Sequence, residues 1–287
     1  MSYHTGLAQQ AVRVAASLRA RYGIGPTLGL CPYDFAIKKL ETKVSFIAAP
    51  SLEGMYSPEP KPASIILSSE RPAGRRRYTC AHELGHHIFE HGTRIDELEE
   101  GNNVASSAEE FLAQRFASAL LMPKIAVDAA FTRRGWRATT STPEQMYIVS
   151  QELGVGYIAL ITNAEINLKV LSKLHADTLR SASIAKVRAA ILGKETKGDV
   201  FFVDEHWIRP TVDVEIGDYL VLPQGSKIEG ICATAQAGTG TKFSAVAPGI
   251  AGVSLAGAPS TLTLRVSKRN YTGLARYRHL EEINDNE

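Results

Sequence analysis

Two histidines four residues apart, with a glutamate directly after the first, are the residues of this chain best suited to chemistry. They are His82, Glu83 and His86, within the segment His-Glu-Leu-Gly-His. On an α-helix, positions four apart lie on one face, so both imidazoles can reach one ion. Zinc binds neutral imidazole well, and a catalytic zinc site has three protein ligands plus an open position for water. The spacing therefore predicts a zinc-dependent peptidase, with Glu83 as the base that takes a proton from the attacking water.

Such a site needs a third protein ligand, and an acidic residue beyond the motif is the natural source. The candidates are Glu90, Asp96, Glu97, Glu99, Glu100, Glu109 and Glu110. The last two open an amphipathic helix whose apolar side must pack on the core, so a carboxylate in its first turn can reach the metal. The acidic stretch before that helix is expected to be a loop without such positioning.

Helical periodicity does not choose between the two glutamates that open this helix. Each of them lies on an apolar stripe: Glu110 with Ala113, Ala117 and Leu121, and Glu109 with Leu112, Phe116 and Leu120. Both remain candidates on this ground alone.

The elements that must position these residues can be read from the pattern of apolar residues. A helix is predicted from about residue 76 to 91, where Gly92 has the position of a C-cap glycine. A second helix is predicted over residues 108–121, stopped by Pro123. Upstream, residues 44–47 and 64–67 have the β-branched, apolar character of strands.

Helical character resumes at residue 143, breaks at Gly154 and continues over residues 157–171, with a further helix predicted over 174–193. A glycine between two short helices is compatible with a helix-turn-helix, although any helical hairpin would show it too. Acidic residues offset the basic ones here, so DNA binding is only weakly supported, and packing against the preceding domain is favoured.

Beyond residue 197 the chain changes to short strand-like runs separated by glycines and prolines. This pattern predicts a separate β-rich domain, a sandwich or a barrel, with an immunoglobulin-like sandwich preferred. Such a domain is expected to recognise a partner or sense a signal.

Composition places the chain among folded proteins without a strong electrostatic bias. Of its 287 residues 44% are hydrophobic and 22% charged, and the net charge is +2. This balance gives no case for nucleic acid or membrane as the main partner. No apolar run reaches the length of about 18 residues expected of a transmembrane segment. The three cysteines suggest no disulfide framework, and the pattern of the N-terminal residues predicts a helix rather than a secretion signal. A cytoplasmic protein is expected.

Two longer phrases make the sequence resemble the ImmA/IrrE family of metallopeptidases. Residues 75–87 read RRRYTCAHELGHH and residues 110–123 read EFLAQRFASALLMP. The family has a phrase of the form RRFTLAHELGH, followed by a helix that ends in FAxxLLMP, and the likeness extends over roughly residues 1 to 170. Gln114 and Cys80 depart from it, standing where asparagine and leucine are usual.

The resemblance implies a gluzincin-like site and selects one of the two open glutamates. His82 and His86 would be ligands, Glu83 the general base, and Glu110 the third ligand, because Ala113 holds the small position three residues later. The implied metal is zinc, although manganese or iron could occupy the same ligands.

The predicted fold class is α+β. The resemblance implies a zincin-like metallopeptidase domain over residues 1–135 and a helix-turn-helix-like segment over 136–196, and the strand pattern adds the β-rich domain over 197–287. The implied substrate is a protein: a helix-turn-helix repressor of the phage type, whose cleavage relieves repression of stress-response or mobile-element genes. It would bind as an added strand along an edge strand, for which Ser64–Ser68 is the candidate. The alternative is a sensor or DNA-binding protein with a peptidase fold and little hydrolysis.

Several neighbouring residues have simpler interpretations. His91 lies five residues beyond His86, off the metal-facing stripe, and is expected to be a C-terminal cap cation. His87 is expected to be structural or exposed, and the cluster of Arg75, Arg76 and Arg77 a solvated helix start. A small core cysteine is the favoured interpretation of Cys80, ahead of a redox or inhibitory thiol.

Overall fold

The structure, a computed structural model, describes residues 3–97, 107–236, 241–257 and 261–280. The first half contains α1 (Tyr3–Arg21), α2 (Pro32–Lys39), β1 (Lys43–Ile47), β2 (Leu52–Ser57), β3 (Ser64–Ser68), α3 (Ala73–Ile88), β4 (Arg94–Glu97) and α4 (Ala108–Leu121). Helices α5 (Lys124–Thr132), α6 (Pro143–Leu153), α7 (Tyr157–Thr162), α8 (Lys173–Arg180) and α9 (Ile184–Leu192) follow. The remainder contains β5 (Val200–Phe202), β6 (Thr211–Glu215), β7 (Tyr219–Val221), β8 (Lys227–Glu229), β9 (Ala233–Ala235), β10 (Lys242–Ala245), β11 (Gly249–Ser254), β12 (Thr261–Ser267) and β13 (Gly273–Leu274). The mixed α+β class expected from the sequence is confirmed.

A five-stranded mixed sheet supports the motif helix α3. Its strand order is β13-β1-β3-β2-β4, with β1 and β3 parallel and the other neighbours antiparallel. Strand β3 lies inside the sheet, where both of its edges are paired, so the expectation that Ser64–Ser68 is an edge strand is wrong. Among the described residues the edge strands are β4 and β13.

The sheet and the helices around it share one apolar core. Ile65 and Leu67 of β3, Leu84 of α3 and Phe116 of α4 are all fully buried in it. The acidic stretch predicted to be a loop begins with β4, and residues 98–106 lie outside the described residues.

Helices α6 to α9 join the same core. Thr142 and Gln145 form a capping box at the start of α6, and Gly154 ends that helix with a left-handed φ of 74°. The turn after it touches α3, because a Cβ on Gly74 would lie 2.7 Å from the Gly156 backbone nitrogen. The helical segment therefore packs against the unit that carries the motif. No described helix is long and apolar enough to cross a membrane.

Two helix predictions in this segment are corrected. Helix α7 ends at Thr162, and the π-helical turn Asn163–Asn167 follows. The single helix predicted over residues 174–193 is two helices, because the chain turns at residues 181–183 and Ser183 takes an extended backbone before α9.

The described residues of the β-rich region form two four-stranded sheets, β5-β7-β10-β9 and β6-β12-β11-β8, whose apolar side chains share a second core. Each sheet includes one parallel pair, β5 with β7 and β6 with β12. An immunoglobulin-like sandwich is built from antiparallel sheets, so these two parallel pairs depart from that arrangement.

The end of the described chain returns from this region to the first sheet. Gly273 and Leu274 of β13 pair antiparallel with Phe46 and Ser45 of β1. Just beyond, Arg278 donates to an Asp34 carboxylate oxygen at 3.1 Å. The β-rich region is thus attached to the first unit through its entry after α9 and again through β13.

Buried charges connect α3 with the β-rich region. Arg76 pairs with Glu215 of β6, and Arg77 donates to the backbone carbonyl of Asp213 at 3.0 Å. Both arginines are only 6% exposed, so the expected solvated cluster is wrong for them. Arg75, which pairs with Glu53, keeps its side chain half exposed.

We expect Glu215→Met to lower the free energy of unfolding by about 3–5 kcal/mol, because it leaves the buried Arg76 guanidinium without its partner. The double variant Arg76→Met/Glu215→Met should lose less, since no uncompensated charge remains. Urea denaturation of the full chain measures both values. The matched control is Lys173→Met, which breaks the exposed Lys173–Asp177 pair and should change stability far less. Equal losses in the Glu215 single variant and the control would contradict a structural role for the buried pair.

Candidate metal centre

Three side chains from two helices bring their nitrogen and oxygen atoms to one point. Nε2 of His82 lies 3.0 Å from Nε2 of His86 and 3.1 Å from Oε2 of Glu110. Oε1 of Glu110 lies 3.4 Å from Nε2 of His86. Both histidines are buried and Glu110 is partly exposed. The structure therefore brings the three predicted ligands together, in a group that could hold a metal ion.

The donor set fits a divalent transition metal ion. Tetrahedral coordination with bonds of about 2.0–2.2 Å places neighbouring ligand atoms about 3.3–3.6 Å apart, close to the separations seen here. When two imidazole Nε2 atoms face each other, only one of them can donate a hydrogen to the other. At least one lone pair among the three groups of the cluster is then left without a donor. A cation at the centre satisfies all three groups at once.

A close helix crossing places Glu110 opposite the histidines. A Cβ on Gly85 of α3 would lie 2.8 Å from Cα of Ala113 of α4, a separation that real Cβ atoms essentially never show. Glu110 stands one turn before Ala113, so the crossing sets its carboxylate beside His82 and His86. Ser107 fixes the start of α4, since its Oγ accepts from the Glu110 backbone N–H at 3.2 Å. The glycine of the motif and the small residue of α4 thus position the glutamate.

The other carboxylates near the motif have different surroundings. Glu109 pairs with Arg94 of β4, and Glu90 is exposed just after α3. Glu99 and Glu100 lie outside the described residues, as does the Glu97 side chain.

Asp96 is the exception among the acidic residues that follow α3. Strand β4 carries it, and its Oδ2 lies 3.1 Å from Nε2 of His82. The expectation that this stretch lacks positioning is therefore wrong for Asp96, because pairing of β4 with β2 fixes it. A second carboxylate thus lies beside His82.

Glu83 is fully buried next to the cluster. Among the described residues no donor group hydrogen-bonds to its carboxylate oxygens, and the Asp96 carboxylate is close enough to share a hydrogen with them. Strand β2 passes directly over it: a Cβ on Gly54 would lie 2.5 Å from Oε1 of Glu83. Burial raises the pKa of Glu83 well above its usual value, which the positive charge of His82 opposes and the charge of Asp96 reinforces.

The charges of the cluster favour a cation at its centre. Burial lowers the pKa of His82, but hydrogen bonds to Asp96 and Glu110 outweigh it and raise that pKa to about 10. Hydrogen bonds to His82 and His86 lower the pKa of Glu110. A metal ion that binds here must displace the proton of His82, because only the deprotonated imidazole is a ligand.

The expectation that His91 is a C-terminal cap cation is wrong, because its ring contacts the His86 ring and burial lowers its pKa to about 4. Its Nδ1 lies 2.9 Å from Nδ1 of His86, the nitrogen that faces away from the cluster. Helix α3 ends at Ile88, earlier than predicted, and Glu90 rather than Gly92 takes the left-handed conformation, with φ 55°. Glutamate is seldom found there, so no sequence signal marks the turn. The neighbouring His87 contacts the Tyr56 hydroxyl at 3.1 Å instead.

Cys80 is fully buried in the core beneath the motif. Burial raises the pKa of its thiol well above the usual value. The thiol is therefore protonated and unreactive, which agrees with its interpretation as a core residue.

Residues 40–163 match the family model described as the IrrE N-terminal-like domain of peptidase family M78. The matched span runs from the end of α2 to the end of α7 and includes all the residues of the cluster. A search of curated proteins finds no match to the chain. The family match confirms the resemblance that the motif and the later helix indicate.

Glu110→Ala should lower the affinity for zinc by more than the 10–100-fold typical of losing an outer-shell partner, since it removes one of three converging donors. Glu109→Ala is the matched control, because its carboxylate pairs with Arg94 and should leave the affinity unchanged. Competition with a chelator, followed by metal analysis, measures both. Retention of metal by Glu110→Ala together with its loss by Glu109→Ala would reverse the assignment.

Gly85→Ala should weaken zinc binding while every ligand remains in place, because the added Cβ forces α3 and α4 apart at Ala113. Gly92→Ala is the control from the same region, since nothing lies within 4 Å of its Cβ. The dissociation constant for zinc and the thermal midpoint of the metal-free protein separate an effect on the site from an effect on the fold. Equal zinc affinity in both variants would show that the crossing does not set the site.

Proposed function

We propose, from the match of residues 40–163 to the IrrE N-terminal-like domain of peptidase family M78, that the protein is a zinc-dependent endopeptidase that cleaves a helix-turn-helix transcriptional repressor. In this proposal the peptidase domain is residues 1–135, the helical segment 136–196 and the β-rich domain 197–287. The short strand β13 returns from the last of these to the peptidase sheet.

The observation that carries the proposal is the position of Glu83. Its carboxylate is buried directly beside a three-donor cluster, and among the described residues no donor group hydrogen-bonds to its oxygens, since the polar group close enough to share a hydrogen with them is the Asp96 carboxylate. A buried carboxylate without a donor costs free energy. A site that only stores a metal has no use for such a group, whereas a hydrolase needs it as a base.

In peptide hydrolysis the residues of the site have different roles. His82, His86 and Glu110 would hold the zinc ion, which when bound supplies Lewis acidity for activating water and polarising the scissile carbonyl. Glu83 accepts a proton from the attacking water on a carboxylate oxygen. It then donates that proton to the amine nitrogen of the departing peptide. Gly54 leaves the space that this carboxylate occupies.

The substrate segment would bind in extended form along β4. Among the described strands, β4 is the edge strand of the sheet nearest the cluster, and its Asp96 contacts His82. An added strand satisfies the free backbone groups of such an edge and brings its own peptide bonds to the site. This assignment replaces Ser64–Ser68, which lies inside the sheet.

The finer parts of the proposal rest on the family resemblance. They are the phage-type repressor as substrate, the relief of repression at stress-response or mobile-element genes, and zinc as the metal, for which manganese or iron are the alternatives. The contacts of α3 with Glu215 and Asp213 support control of the site by the β-rich domain.

Glu83→Gln should reduce cleavage of the repressor encoded beside this gene by about 10²–10⁴-fold, because the amide cannot take the proton. Its zinc content should stay stoichiometric, since His82, His86 and Glu110 are unchanged. The experiment incubates the full chain, loaded with zinc, with purified repressor and follows fragments by mass spectrometry. Unaltered cleavage by the variant would refute the mechanism. Stoichiometric zinc without cleavage of any helix-turn-helix repressor would favour a sensor with a peptidase fold.

A further inference from the structure

A second histidine, His91, contacts the edge of the His86 ring that faces away from the cluster. Nε2 of His86 faces the three-donor cluster, while its Nδ1 lies 2.9 Å from Nδ1 of His91. The two rings meet edge to face, with centroids 5.0 Å apart and an interplanar angle of 63°. Both side chains are buried, so water does not compete freely for this contact.

The end of α3 makes the contact possible. On a continuous helix a residue five positions after His86 would point about 140° away from it. The left-handed φ of Glu90 reverses the chain, and the His91 backbone N–H then bonds to the His86 carbonyl at 2.9 Å. The ring of Phe89 stacks on His91 at 5.9 Å and itself packs edge to face on Phe116 of α4. The His91 ring is thereby held between the His86 ring on one side and the Phe89 ring on another.

The position of the hydrogen between the two Nδ1 atoms follows from what a metal ligand requires of the Nε2 atom of His86. A ligating Nε2 must present a lone pair, so the neutral His86 ring carries its hydrogen on Nδ1. That N–H points at His91, whose Nδ1 must then be the acceptor. His91 is accordingly neutral, with its own hydrogen on Nε2. One hydrogen between two Nδ1 atoms satisfies both rings.

We propose that His91 is a positioning residue that fixes the tautomer and the ring orientation of the ligand His86, an inference that rests on the proposed metallopeptidase function. Metal-binding histidines generally donate their second N–H to a carboxylate, a carbonyl or water. Here a neutral imidazole takes that place. It orients His86 without adding negative charge to a site that already has the carboxylates of Glu110 and Asp96.

The chain offers a matched control one residue from the ligand. His87 also lies on α3, but its Nδ1 contacts the Tyr56 hydroxyl on strand β2. Replacing it removes a histidine of the same helix and leaves the His86–His91 contact intact.

The experiment measures zinc affinity of the full chain, stripped of metal and titrated against a chelator, for His91→Phe, His91→Asn and His87→Leu. Phenylalanine keeps a ring to stack on Phe89 but cannot accept, so zinc affinity should fall about 10–100-fold. Asparagine restores an acceptor, and its affinity should return to within a few-fold of the unaltered protein. His87→Leu should bind zinc as the unaltered protein does. Equal affinity in His91→Phe and the unaltered protein overturns the proposal.

Two further readouts separate positioning from folding and from the proposed function. The thermal midpoint of each metal-free variant reports whether the fold is intact, and the visible spectrum of the cobalt-loaded protein should change in His91→Phe and not in His87→Leu. Ring-nitrogen NMR of the unaltered zinc-loaded chain should find hydrogen on Nδ1 of His86 and on Nε2 of His91. Hydrogen on Nδ1 of His91 overturns the proposal without any variant. If the unaltered chain binds no zinc, the proposed function fails first, and the chelator titration alone shows it.

Discussion

The contact between Gly85 and Ala113 is the constraint on which the candidate metal centre depends. Two histidines on one helix define a face, but a third donor must come from elsewhere in the chain. The absence of a side chain at Gly85 lets α4 approach until its backbone touches α3, and Glu110 is carried in with it. A second close approach, of β2 at Gly54, confines the Glu83 carboxylate. The site is therefore shaped by two glycines that supply none of its chemistry.

The parts of this site that the sequence predicts are the parts that local geometry determines. His82, Glu83 and His86 follow from a spacing of four residues on a helix. The choice of Glu110 over Glu109 does not, because both lie on apolar stripes; it needs the family resemblance or the crossing of α3 and α4. The contact of His91 with His86 does not follow from this spacing, because the left-handed glutamate that makes it possible, Glu90, gives no sequence signal.

Other predictions are wrong because they depend on strands and side chains that are distant in the chain. Residues 64–68 have the composition of a strand, but only the pairing order shows that β3 is internal and β4 is at the edge. Arg76 and Arg77 look like a solvated cluster until the β-rich region supplies Glu215 and the Asp213 carbonyl. The pattern of charged residues in a sequence shows which side chains are costly to bury. It does not show which of them find a buried partner in the fold.

Strand β13 has a consequence for the order in which the molecule assembles. Strand β1 is synthesised early, but the neighbour on its outer edge, Gly273–Leu274, emerges from the ribosome only after the whole β-rich region. A pairing between such distant segments closes a long loop and is formed late. Until then the outer edge of β1 is unpaired, and unpaired strand edges are where growing chains misassemble. Completion of the sheet that supports α3 is in this way tied to completion of the β-rich region.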